Sequence, residues 1–564
     1  MEKEEKKITS APETSVPATA RKEKFRFAQR EEVIHDTKFE TKPVSYLQDC
    51  MRRFVRNKAS VVAAAIIFVI GLFAIFEPML DPKNHVSSED FVNGEFADEK
   101  FAGVLPRCEW FAETGFWDGT EKREIDKLRY DLWRFDDSNH PYISETIDEY
   151  FPDLPPALLG NENYRRYVVR LDTYAVGCKY VYLNQESYTS LVEYEKDKGI
   201  YKTEDSIIKP IVDHESYLIE VADRLRNDGV SENNITTIIS RLKTYYEQNA
   251  RIFFKVMPTK NANGTYNDQQ WAPLDEDGDG TPEDIYLRDD SGNLVYETVQ
   301  NSEYRVRVDY YDYFTYKNGF KPSFLFGTNL QGKDILLRLS LGARFSLCLG
   351  IGITLINFII GLIWGSISGY YGGRVDLIME RITDIISNIP TIIIMSIASI
   401  QLVNNQSLRA ALGPAGIVIA AIFIAFIYNG WVGVASTTRM QFYRFKGQEY
   451  VLASRTLGAK DRRLIFKHIL PNATGTLVTR SVLMIPGVIF SEASLSYLGI
   501  INFENSGIYS IGSMLNEGKA AGITNYPHIL LFPALIISLL MISFNLFGNG
   551  LRDAFNTTLR GSEE

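Results

Sequence analysis

The chain has 564 residues, of which 45% are hydrophobic and 23% charged, with a formal net charge of −10. That length exceeds one ordinary domain, and the acidic total argues against nucleic acid as a partner. Its four cysteines, Cys50, Cys108, Cys178 and Cys348, form no CxxC or Cys/His cluster, which argues against structural zinc.

The mean hydropathy of −0.11 averages two different materials. Residues 81–325 hold 28 Lys and Arg against 47 Asp and Glu, a net of −19, so the remainder carries +9. One acidic, soluble block is set into a basic, apolar protein.

In chain order, residues 1–41 are rich in Lys, Glu, Pro, Ala and Thr and read as a disordered cytoplasmic tail. No apolar stretch follows within the first 30 residues, so this is not a signal peptide. Residues 42–80 hold a surface helix and a first membrane span. Ser45 to Lys58 mixes apolar residues with Arg52, Arg53, Arg56 and Lys58, the pattern of a helix lying on a membrane. Ala59 to Phe76 is an unbroken apolar run ending at Glu77-Pro78. At about 1.5 Å per residue it reaches roughly 27 Å, close to the thickness of a bilayer core. The basic cluster before it predicts a cytoplasmic N-terminus, which puts residues 81–325 outside.

That block reads as an α+β domain. Lys209 to Arg226 and Glu232 to Phe254 have helical spacing, and Asp284 to Tyr316 alternates around a turn at Asp290-Ser291-Gly292-Asn293. Asp275, Asp277, Asp279 and Thr281 follow the start of a calcium loop, with Tyr286 where its last carboxylate belongs and Glu283 or Asp284 as a substitute. A solvated acidic turn is the competing reading. Cys108 and Cys178 are the two cysteines of the block, and an oxidising exterior would permit a bridge between them.

Residues 326–557 read as five further helices. Gly327-x4-Gly332-Lys333 imitates a phosphate-binding loop, but Asp334 stands where Ser or Thr should hold magnesium, and no buried strand precedes it. Spans are expected near 342–369, 376–402, 411–434, 475–499 and 527–549, six with the first. The third contains Arg381, Asp384 and Pro390, charges that are costly in a bilayer and belong on a pathway or in an ion pair. The fifth contains Ser491-Glu492-Ala493-Ser494, with Glu492 either at a gate or in helix packing. Residues 558–564 form a short cytoplasmic tail.

Between the fourth and fifth spans lies EYVLASRTLGAKDRRLIFKHILPNA, Glu449 to Ala473. Gly458 can close a first short helix, Asp461 can cap a second, and Pro471 is expected to end it. This stretch resembles the coupling motif of ABC importer permeases, with Ala453, Gly458, Leu470 and Pro471 in register. Glu449, Ser454, Leu457 and Ala459 complete the version that resembles the oligopeptide and dipeptide importers. The resemblance covers roughly residues 323–557 and the first span, and it extends to Asp384-x5-Pro390 and to Glu492-Ala493-Ser494-Leu495.

The resemblance implies a C-type permease subunit with the six-helix, all-α fold of type I importers; it does not cover residues 81–325, which read as an inserted extracytoplasmic α+β domain. It implies as partners a second permease subunit, two ATPase subunits, an extracytoplasmic substrate-binding protein and the lipid bilayer. ATP and Mg would sit on the ATPases, no catalytic residue on this chain, and calcium only in the insertion. Peptides are the expected cargo; nickel chelates and oligosaccharides share this permease type. A membrane-anchored receptor or channel with an outer sensing domain, or an anchored surface enzyme, would need neither Gly458 nor Pro471 at these offsets.

Overall fold

The computed structural model describes residues 46–80, 91–92, 95–96, 98–111, 114–152, 164–248, 251–261, 264–501, 503 and 506–555. The tails expected at 1–41 and 558–564 lie outside them. Helix α1 (Tyr46–Arg56) follows the predicted surface helix. The first span is α2 (Lys58–Leu80), apolar around its whole circumference.

After the short pair β1 (Phe91–Val92) and β2 (Glu95–Phe96), the acidic block builds on small antiparallel sheets. Strands β3 (Thr120–Asp126), β4 (Ile143–Tyr150) and β5 (Arg166–Asp172) form one, in the order β3-β5-β4, with helix α3 (Lys127–Trp133) between β3 and β4 in sequence. A second joins β6 (Cys178–Leu183), β7 (Ile208–Lys209), β10 (Glu297–Gln300) and β11 (Glu303–Asp309). Helix α4 (Gln185–Lys198) follows β6. Helices α5 (His214–Asn227) and α6 (Glu232–Gln248) pack with the hairpin β8 (Val256–Lys260) and β9 (Tyr266–Pro273) through Val221, Leu242, Phe254 and Trp271. Helix α7 (Tyr310–Asn318) completes the block, its Phe314 buried with Phe101, Val308 and Phe324.

Two local expectations are only partly met here. The helix expected from Lys209 starts only at His214, because Lys209 pairs in β7, Pro210 follows, and Asp213 caps the helix through the Ser216 amide at 3.1 Å. The turn at 290–293 forms, but it joins short bridged segments, Arg288 to Leu294 with Val295 bonded to Leu287, and not full strands. The hairpin of the larger strands turns instead at Asn301 and Ser302, both at positive φ.

Arg307 crosses the middle of the block, fully buried and bidentate to Asp137 at 2.5 and 2.8 Å. Tyr286 donates to the same carboxylate at 2.9 Å. Burial pushes the Asp137 carboxyl up, but Arg307 and Tyr286 outweigh it and hold the group below the ordinary carboxylate range. Cys178 is buried beside Asp137, its Sγ 3.5 Å from Oδ1, and both Cys108 and Cys178 are free thiols. The expected bridge is therefore absent: Cys178 faces the arginine–aspartate pair, and Cys108 hydrogen bonds through its backbone to Trp117.

The stretch that imitated a phosphate loop joins block to membrane helices through backbone. Thr328 accepts from the Val104 amide at 3.1 Å, and Gly103 donates to the Asn329 carbonyl at 2.8 Å. Gly327 and Gly332 are glycines because a Cβ would meet the Val104 and Asp98 carbonyls at 2.4 and 1.8 Å.

Among the described residues, five helices are long and apolar enough to cross a membrane, or six if one bent pair counts as a span. Helix α8 (Ile335–Tyr371) is the second. The third, expected as one helix over 376–402, is the bent pair: α9 (Gly373–Ser387) and α10 (Thr391–Asn404) meet at 71° across Asn388-Ile389-Pro390. Proline lacks the amide and sterically disfavours a helical residue before it, which accounts for the break. Helices α11 (Gln406–Gly430) and α12 (Val432–Lys446) share one long apolar stretch. After α13 (Glu449–Thr456), the chain runs through α14 (Asp461–Arg463), a π-helical stretch Leu464–Ile469, α15 (Leu470–Val482) and α16 (Met484–Tyr497). Helices α17 (Ile511–Ala521) and α18 (Pro527–Phe555) close the fold.

The tightest helix contact rests on absent side chains. Gly361, Gly365 and Gly369 recur every fourth residue on α8 and lie against α12. A Cβ on Gly365 would sit 2.2 Å from the Ala435 carbonyl oxygen. In a bilayer such close backbone approach replaces the hydrophobic drive that water supplies.

Candidate coupling site and pathway residues

The stretch 449–471 is held from below by Val451, Leu464 and Ile469, all fully buried with Tyr370 and Phe442. Helix α13 ends in a Schellman turn: the Ala459 amide donates to Ser454 at 3.1 Å and the Gly458 amide to Arg455 at 3.0 Å. Gly458 takes φ +81 there, with open space where a Cβ would lie, so its conformation and not crowding requires glycine. Tyr370 at the end of α8 donates to Asp461 at 2.5 Å and accepts from Arg455 at 3.2 Å, fixing the turn to the membrane helices.

Two expectations about this stretch are corrected. Asp461 does not cap the second helix: it is the first residue of α14, and its carboxylate serves Tyr370. Pro471 does not end that helix either. It sits in the first turn of α15, where its missing amide has least consequence, and the preceding π stretch absorbs the change of register.

The upper face is left open. Leu457 is 88% exposed and Phe466 62%, with Glu449, Tyr450, Leu452 and Ala453 exposed on the first helix. Ser454 and Leu470 are half-buried, as is Ala459, which packs on the cluster beneath with Leu470. Around the exposed apolar side chains stand Lys460, Arg462, Arg463 and Lys467, all exposed. An apolar ridge rimmed by cations suits a groove on another protein.

The three expected pathway residues are not brought together. Asp384 forms an exposed pair with Arg381 at 3.2 Å and borders a small recess with Glu380, Ser387 and Arg439. Pro390 makes the bend. Glu492 is fully buried inside the bundle, accepting from Ser496 at 2.8 Å and from Ser346 of α8 at 3.3 Å. Beside it, a cavity of about 580 Å³ opens at the bend. Asn357, Thr391, Asn429, Ser491 and Ser494 supply its polar groups, all of them uncharged. Thr391 and Asn429 are linked across it at 3.1 Å.

The sequence reading also passed over an ion-pair network of the membrane part. Arg439 of α12 is bidentate to Asp376 of α9 at 2.6 and 2.7 Å and reaches Glu380 at 3.1 Å, while Tyr443 donates to Asp376 at 2.8 Å. Its signal was Asp376 and Glu380, four apart on one helical face.

In the acidic block Asp275, Asp277 and Glu283 place oxygens within 4.8 Å of one another, a geometry that fits a hard cation. Asp279 and Thr281, also expected as ligands, bond each other at 2.5 Å instead. Asp284 is taken by Arg288 at 2.9 Å.

Residues 361–561 match the family model of the binding-protein-dependent transport system inner membrane component. Residues 45–93 match the N-terminal membrane domain of oligopeptide transport permease C. The chain is 42% identical to the oligopeptide transport system permease protein OppC of Bacillus subtilis over 255 residues, 44% of this chain and 78% of that protein. It is 39% identical to the dipeptide transport system permease protein DppC of the same organism over 235 residues, 42% of this chain and 69% of that protein. With the glutathione transport system permease protein GsiD of Pectobacterium atrosepticum it shares 32% over 252 residues, 45% and 78% of the two chains. A multi-pass membrane chain of transport permease type and not an enzyme, it belongs to the family of binding-protein-dependent transport permeases that includes the oligopeptide and dipeptide permease proteins.

Proposed function

We propose that this chain is the C-type permease subunit of an ABC importer for peptides, with a second permease subunit, two ATPases and an extracytoplasmic binding protein as its partners. The observation that carries the reading is the exposed apolar ridge at 449–471, held rigidly to α8 through Tyr370 and Asp461. Docked in a groove of an ATPase subunit, a ridge so fixed transmits closure as a rigid-body push. Asp384, Pro390 and Glu492 belong to the moving half-pathway, and the cavity at the bend is its neutral polar lining. Magnesium and ATP belong to the ATPases, and none of this chain's residues hydrolyses anything.

In this reading both ends are cytoplasmic and residues 81–325 are an extracytoplasmic insertion. The cluster Arg52, Arg53, Arg56 and Lys58 before α2 supports that orientation; four crossings, with the bent pair as one, return 449–471 to the cytoplasm, and two more return the C-terminal end. Calcium would sit on Asp275, Asp277 and Glu283. Leu457→Asp should leave membrane insertion intact and separate ATP hydrolysis from uptake in reconstituted vesicles; wild-type coupling would sink the docking assignment. Protease added outside spheroplasts should cut within 81–325 and spare 449–473, and the reverse pattern overturns the orientation.

A further inference from the structure

The described residues 109–111 and 114–117, at the foot of the acidic block, expose aromatic rings to solvent. Trp110 is 92% exposed, Phe116 61% and Phe111 42%. A soluble domain rarely leaves a tryptophan so open without a use for it. The rings run as a chain toward the membrane helices. Phe111 meets Phe116 at 5.8 Å, Phe116 meets Trp117 at 5.6 Å, and Trp117 meets Phe532 of α18 at 5.6 Å. Trp117 also donates to the Leu325 carbonyl.

Phe532 lies on a membrane-spanning helix. Leu531 and Leu535 beside it are exposed apolar side chains, and so are Phe76, Met79 and Leu80 at the end of α2. Phe532 and Phe326 pack on the same cluster as Phe73 of α2. The aromatic loop therefore continues, without a polar gap in these contacts, the apolar surface that the spans present to lipid. Tryptophan at the end of a span settles at the headgroup boundary, where its amphipathic ring has one apolar and one wet side, and phenylalanine beside it adds apolar surface to bury below the headgroups. The exposed carboxylate of Glu109 can remain in the headgroup layer.

We propose that Trp110, Phe111 and Phe116 insert into the bilayer interface beside α18 and hold the acidic block down on the lipid surface. The occupant is lipid and not protein, because the patch is continuous with a lipid-facing surface and has the composition of an interfacial belt.

The test uses the full-length chain in phosphatidylcholine vesicles whose acyl chains carry bromine near the headgroup, with unbrominated vesicles as reference. Brominated lipid should quench wild-type tryptophan emission more than that of Trp110→Phe. Trp133→Phe, a ring packed on Tyr142 inside the block, should retain the wild-type quenching. Phe116→Trp should add emission that brominated lipid quenches. Equal quenching of wild type and Trp110→Phe, with aqueous iodide quenching Trp110 instead, overturns the proposal. So does a Trp110 shielded from both quenchers only in the assembled importer, which would assign the patch to a protein partner.

Discussion

The acidic block and the membrane helices each hold an arginine–aspartate pair, buried in the first and with a half-buried arginine in the second, and they surround it in opposite ways. In the block Arg307 and Asp137 lie among aromatic and aliphatic side chains that water drove inward. In the membrane part Arg439 of α12 pairs with Asp376 of α9, and α12 packs on its other neighbour, α8, against a row of glycines. Lipid tails are as apolar as leucine, so large side chains gain little by packing together there; contact between backbones does the joining. Side-chain volume thus carries the first region and its absence carries the second.

The sharpest way to break that contrast is to add volume to the glycine row. Gly365→Leu should prevent α8 and α12 from closing, because its Cβ would lie 2.2 Å from a backbone oxygen that cannot step aside. Loss of monodisperse protein after extraction, and of a cysteine cross-link between the two helices, would show it. Gly352→Leu on the same helix is the control, since its nearest neighbour is a Phe423 ring carbon at 3.7 Å; equal damage from both would refute the role given to the row.

In the block the corresponding injury is removal of a charge. Arg307→Met leaves Asp137 buried without its cation, a loss of about 3–5 kcal/mol read as a fall in the unfolding temperature. Asp137→Leu added to it should recover part of that loss. The carboxyl of Asp137 is held below its ordinary range, so its contribution is complete above about pH 3.9 and is lost as pH falls through the lower folded value. An Asp137→Asn chain whose acid unfolding midpoint matched wild type would contradict this.

Calcium separates the two regions by a gentler route. Millimolar calcium should stabilise the block by about 1–3 kcal/mol if it is well above the dissociation constant, and leave the membrane helices unmoved. Asp277→Ala should abolish the effect, and an unchanged wild-type transition would leave an acidic turn.

The smallest effect tests a glycine of the other kind. Gly458→Ala meets no neighbour and carries only the cost of a left-handed conformation, about 1–2 kcal/mol local to the turn. Uptake should weaken while the protein remains folded, as transport assays and extraction yield would report. A loss of fold equal to that of Gly365→Leu would erase the distinction between glycines kept for space and glycines kept for conformation.

Composition and periodicity were enough to reveal the two materials, several long apolar helices and the turn at Gly458. Long apolar runs and a lone glycine between helical segments act through neighbours in sequence. The same signals picked out Asp275 and Asp277, which do lie together with Glu283, because a loop brings its own residues together. What sequence could not decide was every contact made across the chain. Asp461 was expected to cap its own helix, but Tyr370, 91 positions away, takes its carboxylate. Pro471 was expected to stop a helix that a π stretch allows to continue. Cys178 could have paired with Cys108 or stayed a buried thiol, and it lies against Asp137, beside Arg307. Glu492 could be a gate or a brace in the sequence, and Ser346 of another helix shows what it touches. In each case the partner's identity depends on which surfaces pack, and packing is settled by volume and polarity summed over many residues, not by the few that stand beside one another in the chain.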